Sequence, residues 1–179
     1  QLKTKIDQYK HSLYMKKIYS LMLMLTLTAL SVTVLAQTPM LRRQTGVNGN
    51  SIPLGSGWNN YRGAYIYAPS ELTGTLQGGT INKIYLRPTA TGTTTITNLI
   101  IRISQTTATT FTNTTYPTGT LVYQGNITLS HTANGWVAIN LQTGFAYNPS
   151  QSIIVDISNT TVTCTGMIMN TITLASKRF

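Results

Sequence analysis

Alternation is the property that most limits what this chain can fold into. In residues 97–104, Leu99, Ile101 and Ile103 recur at every second position, and in 135–141 Val137, Ile139 and Leu141 alternate with Trp136, Ala138 and Asn140. Residues 152–158 repeat the pattern, with Ile153, Val155 and Ile157 on one parity and Ile154 and Asp156 on the other. Residues 81–87 read Ile-Asn-Lys-Ile-Tyr-Leu-Arg before Pro88 stops the run, and shorter runs fall at 63–67, 71–77, 120–124 and 166–174. Successive strand side chains point to opposite faces, so such runs describe half-buried antiparallel strands. Eight or so of them, separated by Gly, Pro, Asn and Ser, predict an all-β, two-sheet antiparallel sandwich, jelly-roll-like or immunoglobulin-like.

The strand pattern begins only after a different kind of segment. Met15-Lys16-Lys17 opens an apolar run, Ile18 to Leu35, that ends in Val34-Leu35-Ala36 before Gln37. A basic start, a hydrophobic stretch and a small residue at the cut position form the layout of a secretory signal peptide. About 20 apolar residues can also anchor in a bilayer, but Ser20, Thr26, Thr28, Ser31 and Thr33 dilute this run. We therefore expect an upstream non-structural segment at 1–14, a cleaved signal peptide at 15–36, a linker or loosely attached entry segment at 37–59 and the sandwich domain at 60–179. Localisation outside the inner membrane follows, secreted or on the cell surface, with membrane contact only through the leader during export. The linker expectation rests on Gly46-Val47-Asn48-Gly49-Asn50 and Gly55-Ser56-Gly57, which keep no period.

Removing the leader changes the charge argument. The chain carries a formal +10, of which the part beyond Ala36 keeps eight basic residues against two acids, Glu71 and Asp156, a net +6. The excess comes from missing acids, and the basic residues are scattered. Nucleic-acid binding needs clustered Lys and Arg to displace counterions, so nucleic acid is not expected as a partner. The single Cys164 excludes an internal disulfide framework. Residues 37–179 contain 29 Thr, densest in 89–97 and 106–120, which suit solvent-facing strand positions and loops. Asn113, Asn126 and Asn159 each head an N-glycosylation triplet, a weak signal in a Thr-rich chain.

Catalytic residue types are scarce. Paired-carboxylate chemistry would fall to Glu71 and Asp156, on different predicted elements. Glu71 follows Pro69-Ser70 and is expected to begin a strand or turn; Asp156 is expected to be solvated or paired with Arg102 or Lys83. His131, the single His beyond Ala36, lies in a predicted turn and is expected to be exposed, and no Gly-x-Ser-x-Gly elbow accompanies it. The His, Cys and Asp inventory cannot supply a zinc site. Asp156 and Glu71 are weak calcium candidates, because calcium sites draw on several carboxylates. No enzyme and no cofactor is expected.

Binding is the remaining chemistry. Tyr61, Tyr65 and Tyr67 share a strand parity, and Trp136 lies opposite Val137 and Ile139 beside a turn containing Asn134. Exposed aromatic rings with amide neighbours can stack on sugars and hydrogen-bond their hydroxyls. The candidate ligand-binding residues are therefore Trp136, Tyr65, Tyr67 and Asn134. The competing reading is that these rings fill or cover the sandwich.

Three stretches carry a family resemblance: Gly78-Gly79-Thr80-Ile81-Asn82-Lys83-Ile84, Asn98–Thr106, and Gly135–Leu141 with Phe145-Ala146-Tyr147-Asn148. With Ile153–Ser158, their order resembles β-sandwich modules of large secreted and surface proteins of Bacteroidetes, cargo of the type IX secretion route. The resemblance covers about 60–174 and implies a non-catalytic extracellular accessory module for adhesion or structural spacing. Its partners would be glycans or other cell-surface proteins. The chain departs from the family plan by stopping at Lys177-Arg178-Phe179 without a sorting domain, and is expected to be a fragment of a longer protein. A carbohydrate-binding module is the alternative, and a partial hydrolase using Glu71 or Asp156 comes third.

Overall fold

The expected strands form where they are described; 75–77 of the run at 71–77, and all of the run at 166–174 except 169–171, lie outside the described residues. In the computed structural model, β1 is Leu41–Arg43, β2 Asn48–Asn50, β3 Tyr61–Tyr67, β4 Leu72–Gly74, β5 Gly79–Leu86 and β6 Gly92–Thr106. They are followed by β7 Thr120–His131, β8 Val137–Tyr147, β9 Ser152–Asn159, β10 Thr161–Cys164 and β11 Met169–Thr171, with a 3-10 turn at Pro69–Glu71. The structure describes residues 11, 13–19, 41–43, 48–50, 54, 59–74, 78–112, 116, 118–164 and 169–171. Two compact units divide the chain, Gln1–Ala36 and Gln37–Phe179. In the first, residues 13–19 are helical, and the expected leader beyond Tyr19 lies outside the described residues. Among the described residues no helix is long and apolar enough to cross a membrane.

The second unit is an all-β sandwich built of antiparallel sheets. β6 is its central strand. One of its edges pairs with β7, and the other pairs first with β10 over 94–97 and then with β9 over 100–106. β3 pairs with β9 and completes this large sheet. β5 and β8 pair to form the facing sheet. Leu99, Ile101 and Ile103 lie on the inner face of the large sheet, buried with Ile96, Val122, Leu129, Ile153 and Ile157. Leu86, Ile139 and Tyr147 supply the other side of the same core.

Alternation fails at one point in β6, where Ile96 and Leu99 both face inward. The register with β7 advances three residues on β6 against two on β7, which is a β-bulge. Asn98 sits there with φ 51°, a left-handed conformation that Asn tolerates better than branched residues. Its backbone N–H donates to Asn126 Oδ1 at 2.9 Å and its amide donates to Thr160 Oγ1 at 3.3 Å, so neighbouring strands hold the bulge. Two glutamines tie strands together in a similar way. The Gln142 amide exchanges both hydrogen bonds with the backbone of Gln124 on β7, and Gln105 does the same with Asn148 after β8.

Three expectations change. The segment 37–59, expected to be a linker or a loosely attached entry segment, contributes β1 and β2, which pair with β4 and β11, and Leu54 is fully buried in the core. The Thr-rich stretch before Thr97 is strand as far back as Gly92, with Thr94 buried; alternation still operates there, but hydroxyls hide it. β9 is not half-buried. Ile153 and Ile157 face the main core, while Ile154 packs on the opposite face with Ala64 and Ile66 beneath Phe111 and Tyr116 from the β6–β7 connection. A periodic pattern shows one buried face; it does not report a second cover supplied by a distant connection.

Candidate ligand-binding face

Among the described side chains, Asp156, Glu71 and His131 are bound into the fold. Asp156 has a side chain only 4% exposed, and it receives a two-pronged contact from Arg62, Nη2 to Oδ2 at 2.7 Å and Nε to Oδ1 at 3.2 Å. This corrects the expectation of a solvated carboxylate or one paired with Arg102 or Lys83. Arg102 is the direct strand neighbour of Asp156 in register, yet Arg62 reaches it diagonally from β3. The guanidinium also lies 4.1 Å from the Tyr116 ring centroid, and Tyr116 donates its hydroxyl to the Arg62 carbonyl. The hydrogen bonds that Arg62 donates to Asp156, opposed by partial desolvation and reinforced by the carboxylate's charge, hold the Arg62 pKa above its ordinary value.

Glu71 ends the 3-10 turn and its carboxylate accepts the Ala68 N–H at 2.8 Å. Neither carboxylate has the other among these partners. Among the described residues no group of three His, Cys, Asp or Glu side chains comes together to hold a metal ion. His131 is the last residue of β7 and is buried, not exposed in a turn. Its Nδ1 lies 2.9 Å from the Ala90 carbonyl, which can only accept, so Nδ1 carries the proton. In the neutral ring Nε2 then accepts from the Thr94 hydroxyl at 3.1 Å. Asn159, which heads a glycosylation triplet, is buried, and its amide oxygen and nitrogen have no hydrogen-bond partner. Asn126 is exposed, and Asn113 lies outside the described residues.

The four candidate ligand-binding residues fall into two places. Tyr65 and Tyr67 pair with Val155 and Ile153, and through β9 they align with Ile103 and Gln105 of β6. They are half-buried on the inner side of the large sheet, and Tyr67 packs on the main core. Gly63 lies between Tyr61 and Tyr65, and its missing side chain leaves room for the Tyr61 hydroxyl, which meets that of Tyr65 at 2.6 Å. Trp136 and Asn134 sit beyond the other end of β6, where His131 pairs with Gly92 and the Asn134 N–H donates to the Pro88 carbonyl. At about 3.3 Å per strand residue, the two pairs are separated by roughly 30 Å or more along β6. They do not form one site.

Trp136 has other company. Leu86 pairs with Val137, Tyr85 with Ala138 and Lys83 with Asn140. Ile84 and Leu86 face the core, so Lys83 and Tyr85 share the outer face of β5 with Ala138 and Asn140 of β8, and Arg87 and Trp136 lie one residue beyond the adjoining ends of these strands. Arg87 stacks 5.6 Å from the Trp136 ring centroid, and its Nε donates to the Asn134 carbonyl at 3.2 Å. Asn134 has φ 59°, the turn geometry that lets its carbonyl face Arg87 while its N–H bonds to Pro88. Trp136, Tyr85, Arg87 and Lys83 are half-buried, whereas Asn134 and Asn140 are exposed. Sequence reasoning singled out Trp136 and Asn134 but not Lys83, Tyr85 and Arg87. The same alternation that placed Ile84 and Leu86 inward puts these three outward together.

No protein-family model, curated protein or solved structure matches the chain.

Proposed function

We propose that this chain is a non-catalytic extracellular β-sandwich module, used for adhesion or structural spacing within a longer secreted or surface protein of the Bacteroidetes type IX kind. The observation that carries this reading is the engagement of Asp156, His131 and Glu71 in fold-building contacts to Arg62, Thr94 with Ala90, and Ala68. Side chains so engaged hold strands and turns in place. Export is supported by the sequence alone, in the basic start at Met15-Lys16-Lys17, the apolar run and the Val34-Leu35-Ala36 ending. Sequencing the amino terminus of the exported protein tests that step: a start at Gln37 is expected, and retention of Met15 to Ala36 would count against it. The genomic sequence around the chain tests the accessory role, which loses its footing if the whole gene product contains this domain alone.

A carbohydrate-binding role is the second reading, and the Arg87–Trp136 stack favours it. An aromatic ring beside exposed amides suits the apolar face and the hydroxyls of a sugar. Affinity electrophoresis through gels containing polysaccharide is the test, and migration unchanged in every glycan gel would remove this reading.

A further inference from the structure

Among the described residues, Arg87 is a cation without an acid partner. Beyond Ala36 the chain has only two carboxylate side chains, and both are engaged elsewhere, Asp156 by Arg62 and Glu71 by the Ala68 N–H. The contacts of Arg87 are the Asn134 carbonyl and the Trp136 ring, which orient the guanidinium but do not neutralise it. Lys83 lies two alternations back on the same face of β5 and adds a second positive charge. The two positions are about 13 Å apart along the strand, with Tyr85 between them. Resting on the carbohydrate-binding reading, we infer that the outer face of β5 and β8 binds an anionic polysaccharide, one bearing uronate or sulfate groups.

Each part of the face has a role in such a ligand. The Arg87 fork presents parallel N–H donors to a carboxylate or sulfate. The Trp136 ring takes the apolar face of the neighbouring sugar. Exposed Asn134 and Asn140 offer amide donors and acceptors to hydroxyls. A nucleic acid fits less well, because it needs many clustered phosphate contacts and this face has two cations.

The test is affinity electrophoresis of the full chain through alginate, a polyuronate, with neutral dextran and a single-stranded thymidine oligonucleotide as comparisons. Alginate is expected to retard the protein, less so as salt rises. Arg87→Gln and Trp136→Ala should each weaken that retardation about tenfold, the effect of one lost charge-assisted contact or stacked ring. Arg102→Gln removes the same charge from the other sheet and should change it less than twofold. Arg87→Lys keeps the charge without the planar fork and should fall between, which separates lost recognition from lost folding. Thermal melting of each variant identifies any that fails to fold. Equal retardation by dextran would overturn the anionic inference while leaving the carbohydrate reading in place. Retardation by neither glycan would remove both. Stronger capture of the oligonucleotide through Arg87, or an Arg102→Gln loss equal to that of Arg87→Gln, would also overturn the inference.

Discussion

Arg62 and Arg87 share one kind of contact and serve different ends. Each guanidinium stacks on an aromatic ring, Tyr116 at 4.1 Å and Trp136 at 5.6 Å. Arg62 also grips a buried carboxylate and so fastens the β6–β7 connection over the outer face of the large sheet. Where Arg62 has a carboxylate, Arg87 has the Asn134 carbonyl. A compensated cation is part of the architecture, whereas a cation oriented but not compensated keeps its charge for a ligand. In a unit with two acids, where those acids go decides which arginines are structural.

The difference can be broken most severely from beneath. Ile101 is fully buried on the inner face of β6, and Ile100 is half-buried on the outer face. Ile101→Asp should unfold the sandwich, at about 4 kcal/mol or more, because a bare carboxylate enters the core. Ile100→Asp should cost about half of that or less; equal effects in thermal melting would mean that the two faces are equally closed.

The ion pair comes next, and its two halves should not be equivalent. Arg62→Gln leaves the Asp156 carboxylate, 4% exposed, without its cation and should cost about 3 kcal/mol. In Asp156→Asn the stranded group is Arg62, whose side chain is 42% exposed and can turn to water, so about 1.5 kcal/mol is expected. Chemical denaturation of both variants checks the order. A larger loss in Asp156→Asn would mean that the guanidinium, not the carboxylate, is the confined partner.

A smaller effect of opposite sign is expected at Tyr147. Its hydroxyl is buried in the core without a hydrogen-bond partner, and burial raises its pKa. Tyr147→Phe should therefore stabilise the protein by up to about 1 kcal/mol. The pH dependence has a definite sign. The folded state holds the phenol neutral, while the unfolded chain ionises near pH 10, so stability is full below about pH 10 and falls as pH rises beyond it. That alkaline decline should be shallower in Tyr147→Phe, as melting curves at several pH values would show. The smallest stability effect belongs to Arg87→Gln, within about 0.5 kcal/mol, because no buried charge is stranded.

The sequence made the inner face of the sandwich legible because alternation is local: Leu99, Ile101 and Ile103 announce it without help from the rest of the chain. The outer face was not legible. Arg62 and Asp156 are 94 residues apart, and the Phe111 and Tyr116 cover comes from a Thr-rich connection without a period. His131 read as exposed because its turn-like neighbours are polar, while its two partners, Thr94 and Ala90, come from another strand and loop. Two residues of the candidate face, Trp136 and Asn134, followed from residue type. Arg87 was written in the same alternation as Ile84 and Leu86, on the parity that a search for core residues passes over.

The most direct measurement pairs melting temperature with alginate retardation in two variants of the same chain. The account predicts that Arg62→Gln melts roughly 10 °C lower yet, while folded, keeps its alginate retardation. Arg87→Gln should melt within about 2 °C of the parent and lose about tenfold in retardation. The reverse assignment, or equal losses of both properties in both variants, would contradict it.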